Sequence, residues 1–104
     1  VNAWFADLHC DLALLGASGL DAAKGASTTE FAEAAVKKEA ARHSGKVLLL
    51  ADAAKWRKPA AVRFLPWSEV DGLVTDAAPP SVAADALVSK GVTLHLRSGR
   101  TTRR

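Results

Sequence analysis

Three short apolar runs punctuate this chain, and each breaks into small or polar residues at its C-terminal end. They occupy residues 11–19 (Asp-Leu-Ala-Leu-Leu-Gly-Ala-Ser-Gly), 46–55 (Lys-Val-Leu-Leu-Leu-Ala-Asp-Ala-Ala-Lys) and 70–76 (Val-Asp-Gly-Leu-Val-Thr-Asp). The apolar stretches are too short for a helix core and suit buried strands, which run to about four to eight residues. None alternates apolar with polar, so the pattern predicts strands covered on both faces, as in a parallel sheet. Open α/β sheets bind ligands beyond the carboxyl ends of their strands. That puts Gly16, Ser18, Asp52, Lys55 and Asp76 along one rim, where a functional site is expected.

The bulk numbers narrow the class. A chain of 104 residues, 49% hydrophobic and 24% charged, suffices for one small soluble domain. No run reaches the roughly 18 apolar residues of a membrane span. The first ten residues carry Asp7 and His9 and lack the basic start of a secretory signal. The single Cys10 cannot form an internal disulfide, so a cytoplasmic location is expected. The chain starts at Val1 and contains no Met, so it reads as a piece of a longer product. Its net charge of +3 is concentrated in Arg97, Arg100, Arg103 and Arg104. Without them the body is about neutral, which argues against a nucleic-acid surface there. The division expected is a folded unit at 1–96 and a basic, disordered tail at 97–104. That tail reads as a solvated terminus or as a weak phosphate-backbone contact.

Between the runs the pattern alternates. Residues 1–9 read as the end of a helix, with Trp4, Phe5 and Leu8 on one side. A strand at 12–15 is followed by a loop at 16–29 and a helix at 30–42. Ser27 with Glu30 has capping-box spacing, Thr29 is an alternative cap, and Gly45 is a helix stop. A second strand covers 47–50. Pro59 and Pro66 bracket a stretch that admits at most a short helix at 60–64. A third strand at 72–75 precedes a helix at 81–89, opened by Pro79-Pro80 and ended by Gly91. A last strand at 92–96 completes an α/β order with right-handed crossovers and a parallel sheet of about four strands.

Several residues carry possible chemistry. Asp52 and Lys55, just past the second strand, suit a polyhydroxylated anion, the carboxylate accepting from hydroxyls and the ammonium donating to the anion. They also suit a cap and a solvated lysine. Asp76 has the same position logic and equally suits a cap for the following helix. Glu33 and Lys37 stand i,i+4, in the favourable order for an exposed ion pair. Gly16 to Gly19 form a Gly-containing loop after a strand, without a full phosphate-loop pattern. His9, His43 and His95 have no metal-ligand spacing with Cys10, and Ser18 and Ser44 lack a nucleophile elbow. No cofactor is indicated. Trp56 and Trp67 flank the proline-bounded segment and are expected to pin it to the sheet.

In order and spacing these pieces resemble the C-terminal effector domain of the DeoR family of bacterial transcriptional regulators. The family's usual forms are a strand ending Gly-x-x-Gly, then a Gly-Leu-Thr loop before a helix with Glu and a Lys-Arg pair. Asp-x-x-Lys-Phe and Asp-x-Leu-Ile-Thr-Asp follow. Here the matching stretches are 11–19, 25–38, 48–56 and 70–76. Ala26-Ser27 replaces Leu-Thr, Lys38 replaces Arg, and Trp56 replaces Phe, while Lys37, Asp52, Lys55 and Asp76 fall on matched positions.

The resemblance implies a three-layer α/β fold like that of the sugar-phosphate isomerases, glucosamine-6-phosphate deaminase and the CoA-transferases, truncated at its N-terminus. It implies binding of a phosphorylated sugar or related metabolite, with Gly16, Ser18, Glu33, Lys37, Asp52, Lys55 and Asp76 as ligand residues and no catalysis. It further implies a homo-oligomer, no membrane partner, and operator DNA bound through a winged helix-turn-helix upstream of this chain. The family's Gly-Thr-Thr phosphate loop is also expected upstream of Val1. The rival reading is an isomerase or deaminase on the same fold, distinguished by turnover of a sugar phosphate.

Overall fold

The structure, a computed structural model, describes residues 8–96. Its elements run β1 (Cys10–Gly16), β2 (Gly19–Asp21), β3 (Gly25–Thr28), α1 (Phe31–Arg42), β4 (Ser44–Leu50), a 3-10 helix at Ala53–Arg57, and β5 (Val62–Leu65). A 3-10 turn at Trp67–Glu69, β6 (Gly72–Thr75), α2 (Ser81–Ser89) and β7 (Thr93–Leu96) follow. Of the helix end expected at residues 1–9, only Leu8 and His9 are described, and they are not helical; the basic tail lies outside the described residues.

The apolar runs form the main sheet, in the order β1-β4-β6-β7 with all pairs parallel. The run at 47–50 is interior, between β1 and β6. Each crossover steps to the next strand in one direction, so the right-handed rule places α1 and α2 on the same side. Ala13, Leu15, Val47, Leu49 and Leu73 are buried in one cluster that includes Leu87 of α2. Their neighbours along the strands point the other way. Leu12, Leu14 and Leu50 there are 46%, 59% and 44% exposed. The expectation of cover on both faces therefore holds for one face only. The runs are apolar on both sides, but the helices described here lie over one.

The segment expected to be a loop at 16–29 instead supplies β2 and β3. They join β5 in a second, antiparallel sheet of order β2-β3-β5. The short helix expected at 60–64 is β5 itself. The two prolines flank it, and β5 is an edge strand, where proline is tolerated. Small residues let the pieces close. A Cβ on Gly19 would collide with the backbone of Lys58, Pro59 and Ala60, and one on Gly25 with Leu65 O. Expected to pin the proline-bounded segment to the parallel sheet, the tryptophans fasten the second sheet. Trp67 Nε1 donates to Asp21 O at 2.8 Å, and Trp56 stacks on Trp67 with ring centroids 5.7 Å apart.

The helix signals are corrected in detail. Ser27 caps nothing: its Oγ accepts from Ala60 N at 2.9 Å. Glu30 is the N-cap of α1, without a side-chain cap bond. The helix ends at Arg42 with His43 as C-cap, so Gly45 belongs to β4 rather than stopping the helix. The second helix stands where the prolines place it, with Pro80 as N-cap, Lys90 as C-cap and Gly91 beyond at φ +77.

Candidate functional site

The carboxyl ends of β1, β4 and β6 are neighbours, since Gly16 pairs in register with Leu50 and Leu50 with Val74. The residues just past them form one rim. Asp76 Oδ1 accepts from Ala53 N at 2.8 Å. Asp52 Oδ1 accepts from Ala54 N at 3.1 Å, which starts the 3-10 helix carrying Lys55. Ala51 N donates to Val74 O, and Lys55 N to Asp52 O. The segments after β4 and β6 are thus stitched together by Asp76 and by the Ala51–Val74 backbone bond, while Asp52 acts within its own segment. Asp76 is no cap for α2, whereas Asp52 does cap its helix while remaining exposed.

Glu33 and Lys37 do not form the expected ion pair. Thr28 Oγ1 donates to Glu33 Oε1 at 2.7 Å. Lys37 Nζ donates to Gly16 O at 2.6 Å and lies 5.1 Å from the centroid of the Phe64 ring. The ammonium is therefore held at the end of β1 with two further donors to offer. Ser18 N donates to Ser27 O, which leaves the exposed serine beside the same strand end. Sequence reasoning misses Thr28 and Phe64 as supports of the rim. Thr28 has the pattern of a loop residue, and Phe64 that of a residue in a short helix.

Lys37 Nζ at the end of β1 and the 3-10 helix bearing Lys55 stand at the same strand ends as the exposed Asp52 and Asp76, while the exposed Glu33 lies one turn before Lys37 on α1. Ammonium donors suit a phosphoryl group and carboxylates suit sugar hydroxyls. Two open grooves, of about 1060 Å³ between α1 and β5 and about 310 Å³ beside β3, are lined by none of these residues.

Two buried polar atoms next to the rim lack a hydrogen-bond partner among the described residues: Trp56 Nε1 and Thr75 Oγ1. Such a group costs about 1–3 kcal/mol in desolvation. Trp56→Phe and Thr75→Val are therefore expected to leave stability unchanged or raise it by up to about 1 kcal/mol. Urea denaturation checks this, and a loss above about 1 kcal/mol in both contradicts it.

Comparison with known proteins follows the same lines. The sequence pattern described as the DeoR C terminal sensor domain matches residues 2–77. The chain is 32% identical over 84 residues to the HTH-type transcriptional regulator GlpR of Haloferax volcanii, a match covering 81% of this chain and 33% of that protein. The chain thus spans about a third of the length of that relative.

Proposed function

This chain belongs to the family of DeoR C-terminal sensor domains, and on that premise we propose that it senses a phosphorylated sugar or related metabolite for a transcriptional repressor of sugar-metabolism genes. The observation carrying this reading is the stitched rim, where Lys37 on Gly16 O and the 3-10 helix bearing Lys55 stand beside Asp52 and Asp76. Lys37 and Lys55 engage the phosphoryl group. Asp52, Asp76 and Glu33 accept from sugar hydroxyls, and Gly16 and Ser18 line the contact. Asp52 and Asp76 each commit an oxygen to a backbone N–H, a positioning use that suits binding rather than proton transfer. Operator DNA is contacted by a winged helix-turn-helix elsewhere in the parent regulator, consistent with the name of the relative. No helix among the described residues is long and apolar enough to cross a membrane.

A thermal-shift screen of the parent regulator against sugar phosphates tests the reading. A cognate effector at a hundred times its Kd is expected to stabilise by about 2.7 kcal/mol, with no turnover. Conversion of a sugar phosphate places the chain with the enzymes of this fold instead.

The exposed face of Leu12, Leu14 and Leu50 supports self-association, because large apolar patches drive it. Leu14→Lys is expected to lower the sedimentation-derived mass at high concentration while changing stability by less than about 0.5 kcal/mol. A wild-type chain that stays monomeric contradicts this part of the reading.

A further inference from the structure

The groove of about 1060 Å³ lies away from the rim, and its construction is specific. One wall is the stripe of α1 carrying Phe31, Ala34, Lys38 and Arg42. The other is β5 along its whole length. Successive side chains of a strand point to opposite faces, so a groove lined by every residue of β5 runs along the strand's edge. That edge is unpaired among the described residues: β5 is terminal in the order β2-β3-β5. An unpaired edge offers a row of backbone donors and acceptors to an added strand.

The charge of the groove selects the added strand. Lys24, Lys38 and Arg63 line it without an ion pair among the described residues. Of the two acids there, Glu39 is held by Arg42 and His43, leaving Glu69. Phe31, 82% exposed, stands in the α1 wall, and the buried Ala34, Phe64 and Leu65 supply an apolar lining. We propose that the β5 edge docks an extended acidic peptide segment of a partner protein, added as a fourth antiparallel or parallel strand. Backbone pairing supplies the affinity, and Lys24, Lys38 and Arg63 select acidic side chains. A nucleic-acid strand fits less well, because it cannot pair its backbone with the strand edge.

The test is a fluorescence-anisotropy titration of the chain with a labelled peptide of about eight residues alternating Glu and Val. Three further probes are its Lys-for-Glu counterpart, a version N-methylated at alternate amides, and a single-stranded DNA of similar length. The acidic peptide is expected to bind, and the lysine peptide to bind at least about tenfold more weakly. N-methylation and the double variant Lys24→Glu, Arg63→Glu are each expected to cost a similar factor, and added salt to weaken binding. Equal binding of the lysine peptide, indifference to N-methylation, or no binding of the acidic peptide overturns the proposal. So does tighter binding of the DNA with the same loss in the double variant. Displacement of the peptide by self-association of the chain also overturns it, by assigning the edge to a second copy. The sugar-phosphate response of the rim is expected to be unchanged in the double variant, which keeps this outcome separate from that of the effector site.

Discussion

Gly25→Ala is expected to lower unfolding free energy by about 2–4 kcal/mol, a large share of the roughly 5–15 kcal/mol margin of a domain this size. The residue has φ +93, and a Cβ there would run into Leu65 O and lie 2.9 Å from Pro66 Cα. Left-handed backbone at a non-glycine residue costs about 1–3 kcal/mol, and moving β5 off β3 adds to it. Gly91→Ala separates the two terms. Its φ is +77, and a Cβ there would meet no atom within 4 Å, so only the backbone strain remains, at about 1–2 kcal/mol. Urea midpoints of the two variants measure the difference. Equal losses would mean that the contact between the β2–β3 hairpin and β5 contributes little.

Lys55→Ala carries the second large effect. If the ammonium meets a phosphoryl group, its removal takes away a charge-assisted hydrogen bond of about 1.5–3 kcal/mol, or roughly 10- to 150-fold in Kd. Folding stability is expected to change little, because Lys55 has no ion pair among the described residues and its backbone N–H bond to Asp52 O survives the change. Calorimetric titration of the parent regulator with its effector reads the affinity against wild type, and urea denaturation reads the stability. Unchanged affinity assigns Lys55 to the solvent.

The parallel sheet is legible in the sequence because its signal is simple. Runs such as Val47-Leu-Leu-Leu50 are apolar, short and bounded, and their order with two helices leaves few topologies. The second sheet is not legible. Gly19, Gly25, Ala26, Ser27 and Thr28 have neither bulk nor alternation, and they become strands because their smallness lets β5 and its flanks approach closely. The prolines around β5 suit the bounds of a short helix and of an edge strand alike, and the fold uses the second. The rim is legible at the level of position, since a residue just past a parallel strand has one place to go. Its bonding is not. The i,i+4 spacing of Glu33 and Lys37 points each at the other, yet Thr28 and Gly16 O offer both groups better-placed partners. Cover on both sheet faces does not follow from the runs, because an apolar run records what a strand tolerates and not which layer lies over it.

The carboxyl rim of the parallel sheet is the proposed effector site. Backbone amide shifts of the labelled chain, followed through a titration with sugar phosphates, test it most directly, since weak binding in fast exchange still marks the residues involved. Shifts are expected to concentrate at Gly16, Ser18, Lys37, Ala53, Lys55 and Asp76, with β5 and the exposed sheet face silent. Shifts clustered instead at Lys24, Lys38 and Arg63 along the β5 groove, with the rim unmoved, would contradict it.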